Sequence, residues 1–234
     1  MRIDTSFNFQ QEMGDPNKDA DKYSRMLQTY HQTLWSKLLP NGNKFELEKL
    51  SGSCLLRYTT GQNNLLLSSD RAVATFAKWK RLEHIIVQIP PSELEEFVNL
   101  TDTIGGILIW PSSQVDGMST INAERGFNRL ICDRLDITIE CIRLYYDGQN
   151  SPLLETFKRY KSFFDLFVNF QGYIDFFLLQ DYVTDDCKSV FIAPPYNGFK
   201  SAPIPKTVDE YSEYMNQTIK IIRARNSRIN YYLS

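Results

Sequence analysis

Apolar residues recur along this chain with two different periods, and the change from one to the other divides it. Between Asp19 and Trp35 they fall at Tyr23, Met26, Leu27, Tyr30 and Leu34, steps of three and four that predict an amphipathic helix with one side toward a core. Pro40-Asn41-Gly42-Asn43 ends it, and the pattern shortens. Phe45 to Leu50, Cys54 to Thr59, the polar turn Gly61-Gln62-Asn63-Asn64 and the run Leu65-Leu66-Leu67 predict short strands joined as hairpins. Ser69 or Asp70 is placed to cap a helix bearing Val73, Phe76 and Trp79, and Ile85 to Ile89 reads as a buried strand stopped by Pro90-Pro91. Ser92 and Glu95 form a capping box for a helix ending near Thr101. Ile104 to Trp110 follows as an apolar strand whose Gly105-Gly106 marks a bulge or a close backbone contact.

Past a loop from Pro111 to Gly117 the period becomes helical. From Ser119 to Tyr146 the polar positions Asn122, Arg125, Arg129, Asp133, Asp136, Glu140 and Arg143 recur at helical spacing. At roughly 100° per residue they fall within about 80° of a helix circumference, with apolar residues over most of the rest. A single, mostly buried helix is expected. Its charged stripe is either the strip that meets water or a polar wall inside a cleft. Asp147-Gly148 stops this helix, and Ser151 with Pro152 starts the next segment. Phe157, Tyr160, Phe163, Phe164, Phe167, Phe170, Tyr173, Phe176 and Phe177 then recur at three and four, predicting two core helices with Gly172 as a break. Val190 to Ala193 reads as one more strand and Pro194 to Pro205 as a loop. Thr207 and Glu210 open a terminal helix to about Tyr231, with Lys220, Arg223, Arg225 and Arg228 near its end, where the macrodipole favours cations. The expected class is α+β, one unit over residues 1–234, strand-rich over 40–112 and helix-rich over 113–234.

Composition narrows the functions more than the fold. With 42% hydrophobic and 13% aromatic residues there is ample material for a core, and a net charge of −2 supplies no long-range field toward nucleic acid or anionic lipid. Any polyanion site must be local. No apolar run has signal-peptide or membrane-span length, so a cytoplasmic chain with no membrane partner is expected. Cys54, Cys132, Cys141 and Cys187 lack C-x-x-C spacing and read as buried thiols, and the sequons at Asn99 and Asn216 carry no meaning in that compartment. His31 and His84 are the only histidines, with no G-x-S-x-G elbow, phosphate loop or G-x-G-x-x-G turn, which argues against hydrolase triads and ordinary nucleotide folds. His31, on a tyrosine-rich helix, reads as a surface or hydrogen-bonded histidine rather than a base.

Three groups of residues along the stripe carry the candidate chemistry. Asp133, Asp136 and Glu140 share one helical face, a spacing that presents carboxylates to magnesium or supplies an acid and a base. The same spacing suits intrahelical pairs of Arg129 with Asp133 and Glu140 with Arg143. Arg134 falls on the apolar side with Thr138, so it requires a buried partner, Asp175 or Asp181, or an anionic ligand. Asn122, Arg125, Asn128 and Arg129 gather near the expected helix start, a phosphate seat at which Gly126 would admit a ligand close to the backbone.

The runs Thr120-Ile121-Asn122, Arg125-Gly126-Phe127-Asn128, Asp133-Arg134, Glu140-Cys141-Ile142-Arg143, Ser151-Pro152-Leu153, Phe176 to Asp181 and Arg225-Asn226 with Arg228-Ile229 resemble a family of bacterial and phage-borne proteins of unknown function. The resemblance spans nearly the whole chain and implies no activity or cofactor. Two functions therefore compete: a binding or enzymatic site for a phosphate-bearing ligand, nucleotide or RNA, walled by Arg125, Arg129, Arg134 and Arg143; or a non-catalytic protein of phage or mobile-element origin that binds a host protein. A purely structural subunit is a third.

Overall fold

The computed structural model describes residues 2–14, 18–49, 56–60 and 63–233. At 50% helix and 13% strand, with small antiparallel sheets, the fold is α+β. After α1 (Phe9–Met13), the first predicted helix runs as two pieces, α2 (Ala20–Tyr23) and α3 (Arg25–Trp35). Ser24 parts them, because its hydroxyl caps α3 by accepting from the Leu27 amide and donates to Glu12. Tyr23 and Met26, counted with the apolar side, are exposed.

β1 (Lys37–Leu38) and β2 (Lys44–Phe45) pair antiparallel across the Pro40–Asn43 turn. β3 (Leu47–Lys49), β4 (Leu56–Thr60), β5 (Asn63–Arg71) and β6 (Ile107–Pro111) form a four-stranded antiparallel sheet in that order. The expectations for Leu50, Cys54, Gly61 and Gln62 lie outside the described residues. β5 runs on through Ser69, Asp70 and Arg71, which pair with Ile109, Leu108 and Ile107, where a helix start was expected. Residues 72–79 are irregular, and Phe76 takes a φ of 58°. The predicted strand at Ile85–Ile89 is instead α4 (Glu83–Ile86) and a turn, since a five-residue apolar run looks the same in either state.

α5 (Pro91–Thr101) ends where expected but opens from Pro90, so Ser92 is not its cap. Ile104-Gly105-Gly106 is a 3₁₀ turn, and its glycines answer to close contact. A Cβ on Gly105 would lie 2.5 Å from Asn226 Oδ1, and one on Gly106 2.2 Å from the Thr101 carbonyl oxygen.

The expected single helix over Ser119–Tyr146 is two helices, α6 (Ile121–Phe127) and α7 (Leu135–Tyr146). The aromatic segment divides further, into α8 (Leu154–Arg159), α9 (Lys161–Phe164), a 3₁₀ turn and α10 (Phe170–Phe177). Its break falls at Val168, with Asn169 capping α10, and Gly172 sits inside α10 against the Phe167 carbonyl. Phe157, Phe163, Phe164, Phe167, Tyr173 and Phe177 are wholly buried, so the aromatic stripe is core, and Trp110 donates from its indole to the Tyr173 hydroxyl at 3.1 Å. Of the strand expected at Val190–Ala193 only a bridge to Val183 forms.

α11 (Val208–Tyr232) starts at the predicted Thr207, whose hydroxyl accepts from the Glu210 amide. Its cations turn inward as well as outward. Arg225 is fully buried and donates to the carbonyls of Gly105, Ile107 and Phe177, while Arg228 forks onto Asp181. Tyr211 and Tyr214 donate their hydroxyls to the carbonyls of Thr75 and Ala74, tying the irregular segment to this helix.

Candidate functional site

The turn between α6 and α7 builds the site. Thr120 caps α6, and Asn128 at its end accepts from the Leu130 amide, an Asx turn that leads the chain off the helix axis. Cys132 and Asp133 then take left-handed φ values of 52° and 59°. Arg125 closes this turn on itself: its carbonyl accepts from the Asp133 amide at 2.9 Å, and its guanidinium donates back to the Asp133 carbonyl at 3.2 Å. The turn holds no glycine or proline, which is why the helical pattern runs through it unbroken.

Arg125 is fully buried under the sheet, with its guanidinium 4.5 Å above the Trp110 ring. Nε donates to Thr138 and Nη2 to the Ala72 carbonyl at 2.7 Å. Two carboxylates flank it, Asp133 Oδ1 at 3.2 Å from Nη2 and Asp70 Oδ2 at 3.7 Å from Nη1. Nη1 and Asp133 Oδ1 are both buried and neither has a hydrogen-bond partner.

Asp70 and Asp133 lie in the wall of a cleft of about 670 Å³, closed on its other sides by α1, α2 and residues 73–79. Beside Asp70 on β5, Ser69 donates to Asp21 at 2.9 Å and Arg71 pairs with Asp102 at 3.2 Å, and all four line the same cleft. Burial pushes Asp70 up to about 7 against the opposing pull of Arg125, and pushes Asp21 up to about 6. Asp102 and Asp133 are also raised by burial, resisted by Arg71 and Arg125 respectively. Asp70 is thus held protonated to a higher pH than an ordinary carboxylate, by its burial. Trp79 and the cations Lys18 and Lys78 complete the mouth.

The residues predicted along the stripe divide. Arg125 and Asp133 meet, although Asp133 was expected to pair with Arg129, which is exposed. Arg134 is buried as predicted, yet its partner is neither Asp175 nor Asp181 but Asp136, two residues on. Its guanidinium also donates to the carbonyls of Ala193, Pro195 and Pro203 and lies over the Tyr214 ring. Asp136 in turn accepts from the amides of Ile137 and Ala193. Glu140 and Arg143 form the predicted pair, and Arg143 also reaches Asp147. The break puts Asp133 outside α7, so Asp133, Asp136 and Glu140 do not share a helical face, and no group of three or more His, Cys, Asp or Glu side chains is placed to hold a metal among the described residues. Nor do Asn122, Arg125, Asn128 and Arg129 gather at a helix start, because Asn128 and Arg129 follow the carboxyl end of α6. His31 is buried, accepts at Nδ1 from the Trp35 indole, and is held down to about 3 by burial and then by Arg225.

Residues 3–229 match the profile of a family of unknown function, DUF6994. The chain belongs to that family. No curated protein and no solved structure matches it. In this DUF6994 member no helix among the described residues is long and apolar enough to cross a membrane. The sequence reading missed Asp21, Asp70 and Asp102. For Asp70 a signal existed, since Ser69-Asp70-Arg71 follows Leu65-Leu66-Leu67 without a turn residue, the mark of a strand continuing into polar ground.

Proposed function

We propose that the cleft beside Asp70, Arg125 and Asp133 binds a small polar ligand and that Asp70 gives or takes a proton there. The observation that carries this reading is a pair of carboxylates, Asp70 and Asp133, in the wall of an open cleft, with the fully buried Arg125 guanidinium set behind them. A proton donor that recharges near pH 7 is matched to general acid–base work.

The phosphate-bearing ligand, nucleotide or RNA, is the second reading, and a different observation favours it. Arg134 and Arg143 are engaged by carboxylates, but the exposed Lys18 and Lys78 line the cleft, where a phosphate would meet cations. Magnesium would have to come with the phosphate, for want of a converging carboxylate set. A host-protein partner would use outer surfaces and leave the cleft empty.

A fragment screen by protein-observed NMR tests the choice. Trp79 is the one tryptophan of three that is not fully buried, and it lines the cleft, so its indole N–H reports occupancy. Hits that move Trp79 and are weakened by Asp70→Asn support the cleft. Hits confined to the surroundings of Arg129 and Arg143 would overturn it.

A further inference from the structure

We propose that the exposed cations Lys78, Lys80, Arg81 and Arg129, with the ring of Phe127, form a docking surface for single-stranded nucleic acid. This goes beyond the cleft, whose occupancy it does not require. The chain as a whole carries a net charge of −2, so a polyanion has to be held by a local cluster. Lys78-Trp79-Lys80-Arg81 sets three cations within four positions, between the buried Phe76 and the buried Leu82. All three cations are exposed, and none forms an ion pair among the described residues. The acidic groups around them are too few to cancel the charge. Glu83 follows them in the chain, and Asp102, raised by its burial, is drawn down first by its partner Arg71 and only then by Lys78.

Two further features fit the surface to a nucleic-acid strand. The Arg81 guanidinium lies 4.3 Å from the centre of the Trp79 ring, and its N–H groups make no hydrogen bond among the described residues. An arginine steadied on an aromatic ring with its donors unspent presents a ready fork to the two free oxygens of a phosphodiester. Arg81 also stands beside the α6–α7 turn, where burial raises the Cys132 thiol and the Arg81 charge opposes it. That turn carries the exposed Arg129, and at the end of α6 Phe127 is 83% exposed. An acidic peptide would engage the cations alone. A strand with unstacked bases engages both kinds of group, its phosphates on the cations and a base on the Phe127 ring, whereas a duplex keeps its bases stacked inside.

Fluorescence anisotropy of the full chain with labelled single-stranded RNA and DNA of about twelve nucleotides tests the proposal. Four phosphate contacts predict an affinity that falls about fiftyfold between 50 and 200 mM salt, and Lys78→Gln/Lys80→Gln/Arg81→Gln should flatten that fall to about threefold. Phe127→Ala should weaken binding about tenfold at either salt concentration with the slope unchanged, because a stacked base releases no counterion. The substituted side chains are exposed, so the variants should melt with the wild type, which separates loss of the surface from loss of the fold. No binding at the lower salt, a triple variant as salt-dependent as the wild type, or a loss on Asp70→Asn as large as that of the triple variant would overturn the surface. Polyglutamate, phosphatidylserine vesicles or duplex DNA binding as tightly as the single strands, with Phe127→Ala without effect, would overturn the single-strand assignment.

Discussion

Arg125 and Arg134, nine positions apart, are both wholly buried and both lie over an aromatic ring, yet they do opposite things. Arg134 has an acceptor for every donor: both carboxylate oxygens of Asp136 and three carbonyls of the loop from Ala193 to Pro203, which it straps to α7. Arg125 pairs Nε and Nη2, leaves Nη1 open and shares its charge between two carboxylates that reach a cleft. Burial alone therefore does not mark a structural guanidinium. What separates the two is whether the count of donors and acceptors closes and whether the counter-charge has access to water.

Substitutions can break or sharpen that contrast. The largest effect is expected from Arg134→Met, which leaves Asp136 charged and buried without its partner. It should cost about 3–5 kcal/mol in denaturant unfolding and loosen residues 193–203 to hydrogen exchange, and adding Asp136→Leu should recover much of the loss. Arg125→Met should cost less, about 1–3 kcal/mol, because Asp70 and Asp133 can protonate or hydrate through the cleft, and the cost should shrink between pH 8 and pH 5. Equal costs for the two arginines at pH 5 would erase the distinction.

Asp70→Asn isolates the titration. The folded protein holds this proton up to about pH 7 whereas the unfolded chain releases it near 3.8, so wild-type stability from this group is full below 3.8 and is lost as pH rises through 7. Asp21 acts in the same sense up to about pH 6. The variant should therefore gain on wild type from pH 5 to pH 8, by about 1 kcal/mol after allowance for a side chain that is 39% exposed, in melts at the two pH values. Glu140→Gln should be the mildest, about 0.5 kcal/mol, with the cleft's ligand response unchanged, since its pair with Arg143 lies outside the site.

How much of this was legible in the sequence depends on which residues make the turns. Some caps and stops that use dedicated chemistry read correctly, as at Thr207 before α11, Asp147-Gly148 after α7 and Pro40–Asn43 between β1 and β2, while Ser92 before α5 and Ser69-Asp70 in β5 did not act as the caps expected. The α6–α7 turn did not, because it is built from Arg125 folding back on Asp133, a tertiary arrangement of residues that also suit a helix. The burial of Arg134 followed from periodicity on either side of the break. Its partner did not, since Asp136 reaches it only because Arg134 stands in an extended conformation at the head of α7. The cleft itself was invisible, because Asp21, Asp70 and Asp102 come from three separated elements that only the sheet and the 72–79 segment bring together.

One consequence concerns synthesis. The cleft wall at Ala74 and Thr75 is fastened by tyrosines 140 and 136 positions downstream, so a nascent chain still waiting for Tyr211 and Tyr214 to leave the ribosome has the β-strands beside the cleft but lacks the two hydroxyls that tie down this part of its wall. A chain cut before α11 is therefore expected to leave residues 74 and 75 loose even where its earlier elements have formed.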